Sequence, residues 1–229
     1  MVVDDKNSLV VRVPGATARG TYRGEPVTLR SLLTPPAGHA DMFSMWMDSV
    51  YRIRSAYIAP VVGGILPSGD GAVAFPIMVE SAGAFDLSTP HMSSTIPNGR
   101  AAIAWLTDVA RGIRFLHAGG QVHGQISPSN IHFDAGGTRV MLSMGTLMVE
   151  PSPTAAASDV SNLGYLIHTY ITQRPYLSRA AAGMELMAVL GPHGAALADT
   201  ILNSIEPYGA GTPSIDAVVA ALEEYQVVA

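Results

Sequence analysis

From Asp41 to Ile53 the apolar residues Phe43, Met47, Val50 and Ile53 recur at spacings of three and four, which places them on one face of a helix. Ahead of this helix the pattern is β-like. Short runs at Leu9–Val13, Thr21–Tyr22 and Val27–Leu32 alternate with turn signals at Pro14-Gly15 and Gly24-Glu25-Pro26, as in antiparallel hairpins. Two further β-like runs, Ile58–Ile65 and Ala72–Val79, are bounded by Gly63-Gly64 and by the turn Pro67-Ser68-Gly69-Asp70-Gly71. A small antiparallel sheet with one helix is therefore expected here. After a loop from Ser88 to Asn98 the chain becomes Ala-rich and helical, over Arg100–His117, Asp159–Thr172, Ala180–Leu190, Leu197–Ile205 and Ser214–Glu224. Asp159, with Ser158 beside it, reads as a residue at a helix N-terminus, and Ser214 after Pro213 reads as an N-cap. The Pro/Ala stretch Glu150–Ala157 reads as a surface loop. Sheet first and helices later is an α+β arrangement, and no internal repeat interrupts it.

Composition adds the scale and the surface. With 229 residues, 48% of them hydrophobic, and a mean hydropathy of +0.28, the chain can bury a real core and is expected to fold as one unit. Charged residues make up 14% of the chain, against about 25% in an average soluble domain. Much of the surface is then apolar or neutral, which favours a surface covered by a partner. A net charge of -5 without a compensating Lys/Arg cluster argues against nucleic-acid binding. The absence of cysteine excludes disulfides and thiolate metal sites. The N-terminus M-V-V-D-D-K-N-S has no basic segment followed by an apolar run, and no stretch approaches the roughly 18 apolar residues of a membrane span. A soluble, cytoplasmic protein is expected.

Several short segments carry the remaining information. Residues 122–131 read V-H-G-Q-I-S-P-S-N-I; Thr21–Arg30 reads T-Y-R-G-E-P-V-T-L-R; Phe75–Leu87 reads F-P-I-M-V-E-S-A-G-A-F-D-L; Arg139–Gly145 reads R-V-M-L-S-M-G; and Ser158–Gly164 reads S-D-V-S-N-L-G. In this order they resemble the protein kinase superfamily over nearly the whole chain, closest in pattern to tyrosine-kinase-like members. The resemblance implies a two-lobed fold, with a sheet-and-helix N-lobe and hinge over about residues 8–82 and a helical C-lobe over about 83–226.

The same resemblance implies that the catalytic apparatus is degenerate. In the catalytic loop H-R-D-L-x-x-x-N, His123 and Asn130 match, while Gly124 stands for the arginine and Gln125 for the aspartate. A glutamine amide does not titrate near neutrality and cannot take the substrate proton. Arg30 stands at the phosphate-pairing lysine. Its planar fork is a poor substitute for an ammonium point charge, and it reads as an exposed strand arginine. Trp46 stands where helix Phe43–Ile53 would carry the lysine's glutamate, so that pair is lost at both ends, and the indole either plugs the helix–sheet gap or is an ordinary half-buried tryptophan. The segment P-G-A-T-A-R-G-T-Y keeps only Gly15 and Gly20 of the glycine loop, at the wrong spacing, and reads as a plain hairpin. Ser143 and Met144 replace the aspartate and phenylalanine of D-F-G, so the main magnesium ligand is missing, while Met144 keeps the apolar position.

A vestigial cleft is implied at Thr28, Arg30, Val79, Glu80, Ala82, Asn130 and His132, with Val79 at the gatekeeper, Glu80 to Ala82 as the hinge, and Thr28 and His132 above and below the adenine position. His123 and Asp159 are implied to be structural, Asp159 bracing the catalytic-loop backbone. About a dozen residues separate Gly145 from Ser158, a severe truncation of the activation segment, and in G-T-P-S-I-D-A-V-V-A-A-L Thr212 replaces the family's arginine.

Other chemistries fit less well. His117, His123 and His132 do not match a zinc spacing, no G-x-S-x-G surrounds Ser127 or Ser129, and the 11 methionines read mainly as core filling. The implied function is a catalytically inactive pseudokinase without cofactor or metal. It would be a scaffold or allosteric regulator of another protein, an active kinase or signalling component among the candidates. Two alternatives stay open: a nucleotide sensor binding ATP without magnesium through the hinge and Arg30, and an atypical active kinase drawing a carboxylate from Asp134, Asp86 or Glu150.

Overall fold

A computed structural model describes residues 15–33, 40–65, 76–81, 85–88, 98–133, 139–145, 149–206 and 211–228. In chain order the elements are β1 (Thr17–Tyr22), β2 (Glu25–Ser31), α1 (Ala40–Tyr51), β3 (Val61–Ile65), β4 (Ile77–Glu80), β5 (Phe85–Asp86), α2 (Ala102–Ala118), β6 (Ile131–Phe133), β7 (Val140–Leu142), α3 (Pro153–Thr172), α4 (Arg179–Leu190), α5 (Ala195–Ile205) and α6 (Ile215–Val228). The α+β class follows as expected. The expected strand Leu9–Val13 lies outside the described residues.

The chain divides into two compact units, one of Met1–Ala84 with His132–Val149 and one of Phe85–Ile131 with Glu150–Ala229. The first unit holds a four-stranded antiparallel sheet in the order β1-β2-β4-β3. β1 and β2 form a hairpin whose two-residue turn is Arg23-Gly24, both at positive φ (54° and 87°), the geometry that matches the strands' twist. Glu25 and Pro26, expected in the turn, already belong to β2. Val27, Leu29, Ile77 and Val79 line one sheet face with Ala18, and Ala16, Tyr22, Val62 and Ile65 pack against them. Residues 132–149 group with this unit because a parallel bridge ties Ile58 to Leu142. There, Ala59 N–H donates to Leu142 O and Leu142 N–H donates to Tyr57 O.

The second unit is built on helices. α2 packs on α3 and α6, and α5 packs on α3, α4 and α6. Trp105, Leu106, Val109 and Ile113 of α2 are buried, as are Leu163 and Ile167 of α3, Ile201 of α5 and Leu222 of α6. Gln226 Nε2 on α6 donates to Thr107 Oγ1 on α2 at 2.6 Å. α3 begins at Pro153, so the stretch expected as a loop is largely the first turns of a helix. Ser152 Oγ accepts from Ala155 N–H at 3.1 Å, and Pro153 at the first helical position gives up only an N–H that has no intrahelical partner. Asp159 is consequently mid-helix rather than at an N-terminus. Ser214 caps α6 as expected, its Oγ accepting from Ala217 N–H at 3.2 Å.

Candidate functional site

Strand register decides what faces what in the first unit. Thr28 pairs with Glu80 and Arg30 with Met78, so Thr28, Arg30, Met78 and Glu80 share the face opposite Leu29 and Val79. Val79 and Glu80, expected at a gatekeeper and a hinge, are the last two residues of β4 and point to opposite sides. Glu80 is fully buried, and Ala82 lies outside the described residues.

Around Glu80 a polar cluster closes. Arg30 Nε donates to Glu80 Oε2 at 2.8 Å, Ser143 Oγ donates to the same oxygen at 2.6 Å, and the backbone N–H of Met144 donates to Oε1 at 2.8 Å. Arg30 is only 2% exposed. This corrects the expectation of an exposed strand arginine: Arg30 is buried, and although α1 carries Trp46 where the family has a glutamate, β4 supplies an anion in Glu80. The burial is tolerated because each charge has the other, and because the hydroxyl and amide satisfy the carboxylate's remaining lone pairs.

The guanidinium extends further. Nη1 lies 3.4 Å from Thr17 Oγ1, and Nη2 lies 2.7 Å from His132 Nε2. Arginine can only donate, so His132 Nε2 accepts and the ring's proton sits on Nδ1. Thr28 and His132, expected above and below the adenine position, are both buried, Thr28 on the same sheet face as Glu80 and His132 against the Arg30 guanidinium. Met144 is buried, as expected of its position. Trp46 on α1 is half-buried, and Arg54 Nη1 donates to the carbonyls of Tyr51 and Ile53 at the end of α1. Gly15 and Gly20 lie at the start of and within the β1–β2 hairpin.

The second unit holds the other group of expected residues. Asp159, fully buried on α3, accepts from His123 N–H and Gly124 N–H, both at 2.8 Å, one on each carboxylate oxygen. This is the loop brace expected of it. His117 Nε2 also lies 3.0 Å from Asp159 Oδ2, a partner the sequence did not signal. Within the loop, Gln125 N–H donates to His123 Nδ1 at 3.1 Å, and Asn130 Nδ2 donates to Gln125 O at 2.8 Å. Gly124 has φ 75°, a conformation that disfavours a side chain, which accounts for glycine at this point of the loop. His123 Nδ1 thus accepts a hydrogen bond from within its own loop, and Ser127 Oγ and Ser129 Oγ lie 3.0 Å from each other.

Among the described residues no group of three His, Cys, Asp or Glu side chains is placed to hold a metal ion. Of the three carboxylates considered for an atypical mechanism, Asp134 lies outside the described residues, Glu150 is exposed, and Asp86 Oδ1 accepts from Ser88 N–H at 2.8 Å. Among the described residues no helix is long and apolar enough to cross a membrane.

Comparison with known proteins agrees with this architecture. The chain is 30% identical over 121 residues to the serine/threonine-protein kinase mos of Xenopus laevis, a match spanning 51% of this chain and 34% of that protein. It therefore spans about a third of that relative's length. Among solved structures, a point mutant of the PknI kinase domain of Mycobacterium tuberculosis superposes with a TM-score of 0.63 over 93% of this chain and 90% of that one, at 18% identity. No family model matches the sequence. The fold is that of a protein kinase domain.

Proposed function

We propose that this protein is a catalytically inactive member of the kinase-like fold that works as a protein-interaction scaffold or an allosteric regulator of a partner protein. The observation that carries this is the closed cluster around Glu80. Arg30, at the position the phosphate-binding lysine would take, already has its charge matched at 2.8 Å by a fully buried carboxylate. A triphosphate brought to the same place would meet that carboxylate's negative charge in a poorly screened interior. Ser143, at the position of the magnesium-binding aspartate, turns its hydroxyl to Glu80, and a hydroxyl supplies no charge to hold the ion. Gln125 adds a third deficit, since it cannot serve as the proton acceptor. A surface carrying few charges, on a chain with 14% charged residues, is suited to being covered by another protein.

The deciding measurement is thermal unfolding with millimolar ATP, with and without magnesium. No shift is expected in either condition. A ligand at about 100 times its dissociation constant stabilises the folded state by about 2.7 kcal/mol, which for a domain of this size is roughly 5–11 °C. A shift of that size without magnesium would replace this reading with that of a nucleotide sensor, and magnesium-dependent phosphate transfer would remove it altogether.

A further inference from the structure

The second unit contains a cavity of about 400 Å³ lined by Thr172, Arg174, Ala181, Met184, Glu185 and Ala188, with Val189 completing its wall. It lies between the C-terminal end of α3 and one face of α4, and none of its residues takes part in the features described above. The chain leaves α3 through Gln173 at φ 58°, which turns Arg174 back toward α4. Most of the wall is methyl and thioether: Ala181, Met184, Ala188 and Val189. Met184 is 71% exposed, so its thioether stem is open to a ligand at the cavity rim.

One carboxylate sits in this apolar wall. The Glu185 side chain is 17% exposed, and its Oε1 lies 3.2 Å from Arg174 Nη1, whose side chain is 67% exposed. An ion pair with so exposed a cation contributes little, because solvent screens it and a long side chain must be held still. On the other side stands His168, fully buried, with its Nε2 3.2 Å from Glu185 Oε2. Burial lowers the pKa of His168, outweighing the upward pull of Glu185, so at neutral pH the ring is uncharged and does not neutralise the carboxylate. Glu185 is thus a largely buried anion whose ion-pairing cation, among the described residues, is a loosely held, solvent-exposed arginine.

We propose that this cavity binds a guanidinium or ammonium group on an aliphatic stem, the chemistry of an arginine or lysine side chain, with Glu185 as its anion and Arg174 as an internal occupant that the incoming cation displaces. The stem lies along Ala181, Met184, Ala188 and Val189, and the cation takes the place of Arg174 in a less exposed setting, where the same attraction is stronger. The site is independent of the proposed loss of catalysis, because it lies wholly in the second unit and shares no residue with the Glu80 cluster.

The test follows methyl resonances of Met184 and Ala188 by NMR while the full chain is titrated with agmatine, with the peptide acetyl-Ala-Arg-Ala-amide, and with the uncharged citrulline analogue of that peptide. Agmatine and the arginine peptide are expected to shift these methyls and the citrulline peptide is not. Tighter binding of the peptide would assign the cation to a segment of a partner protein, and equal or weaker binding would assign it to a free small molecule. Glu185→Gln is expected to weaken binding about tenfold or more, whereas Arg174→Ala is expected to tighten it about threefold by removing the internal competitor. Ala188→Leu, which fills the cavity without touching a charge, abolishes binding if Glu185→Gln proves too unstable to read. Absence of saturable shifts, equal binding of the citrulline peptide, or weakened binding in Arg174→Ala overturns the proposal.

Discussion

Replacing Glu80 by glutamine removes one charge from the first unit while changing almost nothing in volume. The Arg30 guanidinium then remains 2% exposed without its anion, because it cannot deprotonate and its strand position keeps it inside. Breaking a buried ion pair from one side costs about 3–5 kcal/mol. At roughly 2–4 °C per kcal/mol for a chain of this size, the midpoint is expected to fall by about 6–20 °C. The chain's two tryptophans are divided between the units, Trp46 in the first and Trp105 in the second. Urea unfolding followed by fluorescence in a Trp105→Phe background therefore reports on the unit that contains the cluster. A second variant separates charge from packing. Arg30→Met combined with Glu80→Leu withdraws both charges together and is expected to recover part of the loss. The rest remains unrecovered, since Ser143 O–H and Met144 N–H each lose an acceptor at about 1–3 kcal/mol apiece. A cost for Glu80→Gln below about 1 kcal/mol, the worth of an exposed ion pair, would refute the assignment of Glu80 as the node of a buried cluster.

Two further outcomes test the second unit. Asp159→Asn turns an amide NH₂ toward one of the two backbone N–H donors that the carboxylate now accepts, and should destabilise the fold by about 2–4 kcal/mol and speed amide exchange at His123 and Gly124; unchanged exchange there would show that the loop does not depend on the brace. His168 faces the Glu185 carboxylate, with Arg174 on that carboxylate's far side, and the ring edge of Tyr176. Its pKa in the folded chain lies below the usual 6.5, so the unfolded chain binds more protons as pH falls beneath that value. Stability from this group is complete above pH 6.5 and declines as pH falls from there toward the lowered pKa. His168→Phe, which keeps a ring but cannot titrate, is expected to flatten the urea midpoint between about pH 5 and 7, and an unaltered slope would refute the sign.

The elements legible in the sequence were those whose signal is local. The helices α2, α4 and α5 fall within two residues of their expected ranges, because an apolar stripe in an Ala-rich segment needs no distant partner to be recognised. The start of α3 was misread for a local reason as well: proline argues for a loop in general but for a helix start when a serine precedes it. Strands β5 and β6, of two and three residues, carry too short a pattern to be read alone. The Asp159 brace was legible through resemblance, since S-D-V-S-N-L-G and V-H-G-Q are both continuous motifs. His117, its third partner, belongs to no motif and is found only when α2 and α3 are folded side by side.

The Glu80 cluster shows what kind of information a chain read in one dimension withholds. Its members are brought together from far apart, Arg30 and Glu80 being 50 residues apart and Glu80 and Ser143 63 apart. More decisive is parity. In a strand, one residue's shift in assignment exchanges the two faces, and which of Val79 or Glu80 faces Arg30 is fixed by the pairing of Thr28 with Glu80, a property of β2 and β4 jointly. Treated one at a time, an arginine for a lysine and a serine for an aspartate are two separate departures from the kinase pattern, and the glutamate reads as part of a hinge. Folded, they are mutually dependent: the glutamate neutralises the arginine, and the serine is short enough to donate to the same carboxylate where an aspartate would repel it. An aspartate at Ser143 alone would therefore set two carboxylates against each other in a buried site, so Ser143→Asp is expected to destabilise this chain.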